Sequence, residues 1–225
     1  FPVPEIVTLL LTRKVLVKMN IIDCVLFVVV MSKMPWHQNN ELFCGKKISG
    51  DYRLAEKLYS PIITPTTKID KQYDANVTIE EVEKRIGIEL TKKIVNACYE
   101  LYDECNRYAR SKGLIIADTK IEFGINKNGE LVLADEIFTP DSSRFWEGTD
   151  YEIGKIPKSY DKQIVRDWLE KNIENGRYQW EKIPTSLLEE IEKNYRTCMK
   201  RLLCKVLLLL KYIMNTQCCV WKQEI

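Results

Sequence analysis

The sequence predicts an α+β domain, an antiparallel sheet with flanking helices, and three observations carry that expectation. Residues 14–30 are rich in valine and isoleucine, as a strand is. Residues 78–113 hold a helical repeat between recognisable start and stop signals, and Asn128–Gly129 separates two further strand-like runs. At 225 residues the chain can bury a sizeable core, and its 34 Lys+Arg against 32 Asp+Glu leave a net charge of +2. That balance offers no electrostatic case for nucleic acid.

The elements follow in chain order. After the strand at 14–30, residues 33–76 are expected to be irregular, with turn signals at Gly45, Gly50–Asp51, Pro61 and Pro65. A helix starts at Thr78, where Thr78-x-x-Glu81 forms a capping box that satisfies the first free N–H groups. Gly87 interrupts it. The next helix places Ile94, Cys98, Leu101, Cys105 and Tyr108 on one stripe, and Gly113 ends it in the left-handed conformation that follows a last turn. Strands at 114–126 and 130–138 flank Asn128–Gly129, read as a two-residue type I′ turn. A proline-containing loop at 139–158 leads to a short helix from Ser159 to Lys171. A last helix starts near Thr185, after Pro184. No internal repeat or low-complexity linker is present.

Eight cysteines and one histidine, His37, include no C-x-x-C spacing, so a Cys/His zinc site is not indicated. Reduced, mostly buried thiols in a cytoplasmic protein are expected instead. The apolar runs Ile21–Met31 and Leu202–Met214 both fall short of the ~20 residues a membrane span needs, and no basic-then-apolar leader opens the chain. The sequence leaves room for an oligomer.

Asp118, Lys120 and Glu122 alternate along a strand and therefore share one face. If Asn128–Gly129 is the whole loop, Glu122 lies directly opposite Asp135, with Cβ atoms about 5 Å apart. Two carboxylates that close require a positive charge between them. A hard divalent cation, its shell completed by phosphates, suits the pair, and Lys120 would neutralise a phosphoryl or acyl-phosphate oxygen. The same spacing also describes solvated charges on the open face of a two-layer sheet. The stretch Pro140-Asp141-Ser142-Ser143-Arg144 adds hydroxyls, expected free N–H groups and a guanidinium, a set suited to an anion. Lys162 and Arg166 stand at i, i+4 beside Gln163, and a bound anion would relieve their repulsion.

Longer strings join these features. Gly113-Leu-Ile-Ile-Ala-Asp-Thr-Lys-Ile-Glu-Phe-Gly124, Asp135-Glu-Ile-Phe-Thr-Pro-Asp-Ser-Ser-Arg-Phe-Trp146 and Tyr160-Asp-Lys-Gln-Ile-Val-Arg-Asp-Trp168 resemble SAICAR synthetase, and so does Ser60-Pro-Ile-Ile-Thr-Pro-Thr-Thr-Lys68. The resemblance is good from Glu41 to Met199 and weaker over Phe1–Val30. It implies an ATP-grasp-like α+β fold and a purine-synthesis ligase. ATP would activate the carboxylate of carboxyaminoimidazole ribonucleotide as an acyl phosphate, and L-aspartate would then displace phosphate. By resemblance, Glu122 and Asp135 bind Mg2+, Lys120 acts near the transferred phosphoryl, and Asp118 contacts the imidazole. Ser142, Ser143 and Arg144 belong to the ribonucleotide phosphate loop, Lys162 and Arg166 line the pocket, and Lys68 and Asp74 lie near the reacting groups.

The resemblance also implies an organisation. Residues 1–32 would be a remnant of the nucleotide-binding lobe, 33–203 the substrate- and metal-binding domain, and 204–225 a divergent tail. The chain is expected to begin after the family's glycine- and lysine-containing ATP lobe. Around Asp74 it reads Tyr73-Asp74-Ala75 where the family has His-Asp-Glu, and Phe27–Trp36 lacks the family's arginine and Gly-Ser element. Two readings compete with the ligase: a remnant that binds nucleotide-like anions through 140–166, and an interaction module presenting Leu202–Met214.

Overall fold

The computed structural model describes residues 25–32, 34, 42–47, 51–67, 75–174 and 176–202. Strand β1 (Val25–Ser32) is followed by the short hairpin β2 (Leu42–Phe43) and β3 (Lys46–Lys47), then by β4 (Lys57–Thr67) and β5 (Ala75–Asn76). Helices α1 (Ile79–Ile86) and α2 (Ile88–Ser111) lead into β6 (Leu114–Ile125), β7 (Leu131–Ala134) and β8 (Ser143–Glu147). Helix α3 (Gln163–Lys171), the hairpin β9 (Ile173–Glu174) and β10 (Arg177–Tyr178), and α4 (Thr185–Leu202) complete the chain. Of the strand expected at 14–30, residues 25–30 are seen in β1, which continues to Ser32; residues 14–24 lie outside the described residues.

One six-stranded antiparallel sheet runs in the order β5-β4-β1-β6-β7, with β8 also paired to β6. β1 lies between β4 and β6, so residues 25–32 pair in the same sheet as the β6–β7 hairpin. Phe27, Val29, Ile63, Ile121 and Phe123 project to one face and meet the α2 stripe of Ile94, Cys98, Leu101 and Cys105. Each large apolar side chain buried this way contributes roughly 1.5–3 kcal/mol. Tyr102 adds a directional tie, its hydroxyl donating to the Ile116 carbonyl at 2.5 Å. The start of α1 and the end of α2 are as read: Thr78 and Glu81 form the reciprocal cap, and Gly113 follows α2 at φ 71°.

The end of α4 carries an arginine that ties it to two other elements. Arg201 donates to the Lys112 carbonyl at the end of α2, at 2.7 and 3.0 Å, and to Glu147 at 2.8 Å. It thereby satisfies an orphan helix-end carbonyl and joins three elements. The guanidinium and the Tyr160 hydroxyl together draw the Glu147 carboxyl down to about 2, against burial, which raises it. Among the described residues no helix is long and apolar enough to cross a membrane. The thiols of Cys98, Cys105 and Cys198 are buried.

Four expectations need correction. Residues 57–67, expected to be irregular, form β4 despite Pro61 and Pro65. Pro61 sits where the β1–β4 register shifts, and beyond Pro65 the outer neighbour β5 pairs only Thr66 and Thr67, so little of the ladder is lost to either ring. The helix expected from Ser159 starts at Gln163. The strand expected to reach 138 stops at Ala134, because Asp135 and Phe138 take φ of 60° and 52°. Finally, the hairpin loop is longer than two residues. Asn126 Oδ1 accepts from the N–H groups of Asn128 and Glu130, each at 2.9 Å, and Gly129 takes φ 78°. This is a turn closed by an αL glycine, and it shifts the pairing so that Glu122 faces Ala134, not Asp135.

Candidate functional site

β6 sorts its residues by face: Thr119, Ile121 and Phe123 are buried, while Asp118, Lys120 and Glu122 are half-buried on the other side. Across β1 that second face continues as Val30, opposite Asp118, and Val28, opposite Lys120. Asp135 is not in register with Glu122, yet its left-handed backbone turns the carboxylate back over the strand. Lys120 Nζ stands 2.9 Å from Glu122 Oε1 and 3.0 Å from Asp135 Oδ2. The positive charge the two carboxylates require is therefore supplied by a side chain of the same strand.

Arg144 enters from β8 opposite Asp118. It bonds Asp118 at 2.6 Å, Asp161 at 3.0 Å and Gln163 at 3.4 Å, with only 10% of its side chain exposed. Burial pushes the Asp118 carboxyl above its usual range, although the Arg144 charge pulls the other way. Asp161 was not singled out in the sequence. Its Oδ1 accepts from Ser159 Oγ at 2.7 Å and from the Gln163 N–H at 3.1 Å, so it fixes the start of α3 while its other oxygen meets Arg144. The legible signal was an aspartate two residues before the helix, where a side-chain acceptor satisfies an orphan N–H.

The loop expected to offer free N–H groups does not. Thr139 closes it: the N–H groups of Asp141 and Ser142 bond Thr139 Oγ1 at 3.3 and 3.1 Å, and that of Ser143 bonds the Thr139 carbonyl at 2.9 Å. The hydroxyls are also engaged, Ser142 with Thr139 and Ser143 with Thr119 at 2.7 Å. Asp141 gathers Lys162 Nζ at 3.0 Å and the hydroxyl of Tyr195 from α4 at 3.2 Å. Burial would raise its carboxyl, but the Lys162 contact wins and holds it low, while burial raises neighbouring Glu136. Arg166 is exposed on α3, and its charge reaches Asp118. Thus Asp118, Lys120, Glu122, Asp135 and Arg144 come together, Ser142, Ser143, Lys162 and Arg166 border them, and Lys68 and Asp74 lie outside the described residues.

Glu122 and Asp135 are hard oxygen donors already converging on a single positive charge, and Asp135 is 46% exposed on the open side. Such a pair fits a divalent cation whose remaining ligands are phosphate and water.

An antiparallel sheet with flanking helices in this order is the fold of the SAICAR synthetases. The yeast (Saccharomyces cerevisiae) SAICAR-synthase, solved in complex with SAICAR, superposes with a TM-score of 0.66 at 32% identity, over 82% of this chain and 61% of that one. A SAICAR synthetase solved in complex with ADP shares the fold at a TM-score of 0.56 and 23% identity, over 81% of this chain and 65% of that one. The SAICAR synthetase family model matches residues 7–183, and the chain belongs to that family. Phosphoribosylaminoimidazole-succinocarboxamide synthase from Ralstonia nicotianae is 44% identical over 166 residues, 71% of this chain and 55% of the relative. The enzyme of the same name from Lachnospira eligens is 43% identical over 174 residues, 74% of this chain and 57% of the relative. The chain therefore spans a little over half the length of these curated relatives.

Proposed function

We propose that the chain supplies the substrate- and metal-binding face of an ATP-dependent carbon–nitrogen ligase of purine synthesis. The reaction joins L-aspartate to the carboxylate of carboxyaminoimidazole ribonucleotide and yields SAICAR, ADP and phosphate. The observation that carries this reading is the convergence of Asp118, Lys120, Glu122, Asp135 and Arg144 on one sheet face, in a chain of the SAICAR synthetase family. In the first step the ribonucleotide carboxylate attacks the γ-phosphorus of ATP and ADP leaves. In the second, the aspartate amine adds to the acyl carbon, gives up a proton and expels phosphate. Both steps gather negative charge on oxygen, so what a protein contributes is position and fixed positive charge.

Lys120 is placed to meet the oxygens of the transferred phosphoryl and the substrate carboxylate. Glu122 and Asp135 would hold Mg2+, which when bound neutralises the nucleotide phosphates. Asp118, oriented by Arg144, would accept from the amino-imidazole, and Ser142, Ser143 and Arg144 would border the ribonucleotide phosphate. Lys162 and the exposed Arg166 would draw that anion into the pocket, and Lys68 and Asp74 would act near the reacting groups. Calorimetric titration tests this division of labour. Mg·ATP and the ribonucleotide should bind together, and Glu122→Gln should weaken Mg·ATP at least about tenfold, or 1.4 kcal/mol, without changing ribonucleotide affinity. Mutually exclusive binding, or a variant that binds Mg·ATP as wild type does, refutes it.

A further inference from the structure

Two carboxylates from separate elements share one ammonium. Lys120 Nζ, 2.9 Å from Glu122 and 3.0 Å from Asp135, occupies the place where their oxygens converge. A divalent cation and an ammonium compete for such a place, since both are drawn by the same two charges. The lysine's main chain cannot follow a displaced side chain, because its N–H is bonded to the Ser142 carbonyl at 2.8 Å inside the sheet. The side chain is 33% exposed and so borders solvent. Asp118, the next carboxylate along the same strand face, is already paired with Arg144 at 2.6 Å.

We infer that Lys120 is an exchangeable counter-ion. Its ammonium holds Glu122 and Asp135 together in the metal-free protein, and a divalent cation displaces it. The displaced ammonium is then delivered to the anionic substrate. This rests on Glu122 and Asp135 being the metal pair of the proposed function, and it adds an order of events. Metal arrival is what releases the lysine, so a substrate carboxylate meets a free ammonium only on the metal-loaded face. Lys120 then serves twice, first as a placeholder and afterwards as a contact.

The test is a titration with Mn2+ alone, its unbound ion read by electron paramagnetic resonance, with thermal melts to confirm folding. Lys120→Met removes the competing charge and should bind Mn2+ at least about tenfold more tightly than wild type. That is the worth of one unit charge ~3 Å from another even with the screening of bulk water. Lys120→Arg keeps the charge and should match wild type, while Glu122→Gln should lose binding. If Lys120→Met binds no more tightly while Glu122→Gln loses binding, the counter-ion role is wrong and the metal pair stands. If Glu122→Gln binds as wild type does, the metal pair falls and the inference with it. Wild type gives a separate check should Lys120→Met fail to fold. Saturating Mg2+ should raise the rate at which an amine-acylating reagent modifies Lys120, read by peptide mass spectrometry, and an unchanged rate overturns the inference.

Discussion

Replacing Arg144 by methionine keeps an unbranched side chain and removes its charge from between Asp118 and Asp161. Both contacts are short, 2.6 and 3.0 Å, and the three side chains are 17%, 10% and 6% exposed for Asp118, Arg144 and Asp161. Removing one partner of a buried ion pair costs about 3–5 kcal/mol, because the remaining charge is left without compensation. In a chain of this size each kcal/mol moves the melting temperature by about 2–4 °C, so a fall of roughly 6–20 °C is expected. The penalty should also depend on pH. Asp118 already titrates above its ordinary value because it is buried, and losing Arg144 raises it further. A carboxyl whose folded value lies above its unfolded one stabilises fully below the unfolded value, about 3.9, and that stabilisation is lost as pH rises through the folded value. The variant should therefore lie nearest wild type in acid and fall behind as pH rises. Asp118→Asn, added to Arg144→Met, should restore part of the loss, since it removes one stranded charge. Urea unfolding of the four proteins of this double-mutant cycle at several pH values measures all of it. A loss under about 1 kcal/mol, or no recovery in the double variant, would refute the account of Arg144 as the neutralising centre.

Arg201→Ala should destabilise most above pH 5, because the Glu147 carboxyl held at about 2 contributes stability above its unfolded value and loses it as pH falls towards 2; denaturant unfolding from pH 7 to 2 should show the two proteins converging. Tyr102→Phe leaves the Ile116 carbonyl buried without its donor and should cost about 1–3 kcal/mol of unfolding free energy, with little change in ligand titrations. Burial pushes the thiols of Cys105 and Cys198 up to about 12, so in the native state both should react with a disulfide reagent far more slowly than after unfolding.

The helical half of the fold was legible because its determinants are local. Thr78 and Glu81 cap α1 from within a single turn, and the α2 stripe repeats at the helical period. β4 was not, since Pro61 and Pro65 carry a turn signal in sequence whereas their cost depends on which edge of a strand faces a partner. The hairpin was found but misregistered by one residue. The Asn-Gly pair is the stronger short-range signal, and only the Asn126 side chain, folded back on Asn128 and Glu130, selects the longer loop. Of the residues singled out through the family strings, Asp118, Lys120, Glu122, Asp135 and Arg144 come together in the structure, yet no spacing rule announced Asp161 or Thr139. Asp161 matters through Arg144 from another element, and Thr139 through the N–H groups it removes from the anion loop. Lys120 stands between Glu122 and Asp135, although the sequence placed it only beside the pair.

Calorimetric titration of SAICAR into the protein asks whether this sheet face binds the imidazole ribonucleotide. Arg166→Glu is the informative variant, because Arg166 is exposed and its charge reaches Asp118, so reversing it alters the pocket with little burden on the core. The account predicts saturable binding at one site per chain, weakened at least about tenfold, or 1.4 kcal/mol, by the reversal. A flat wild-type titration, or curves for wild type and variant that superimpose, would contradict it.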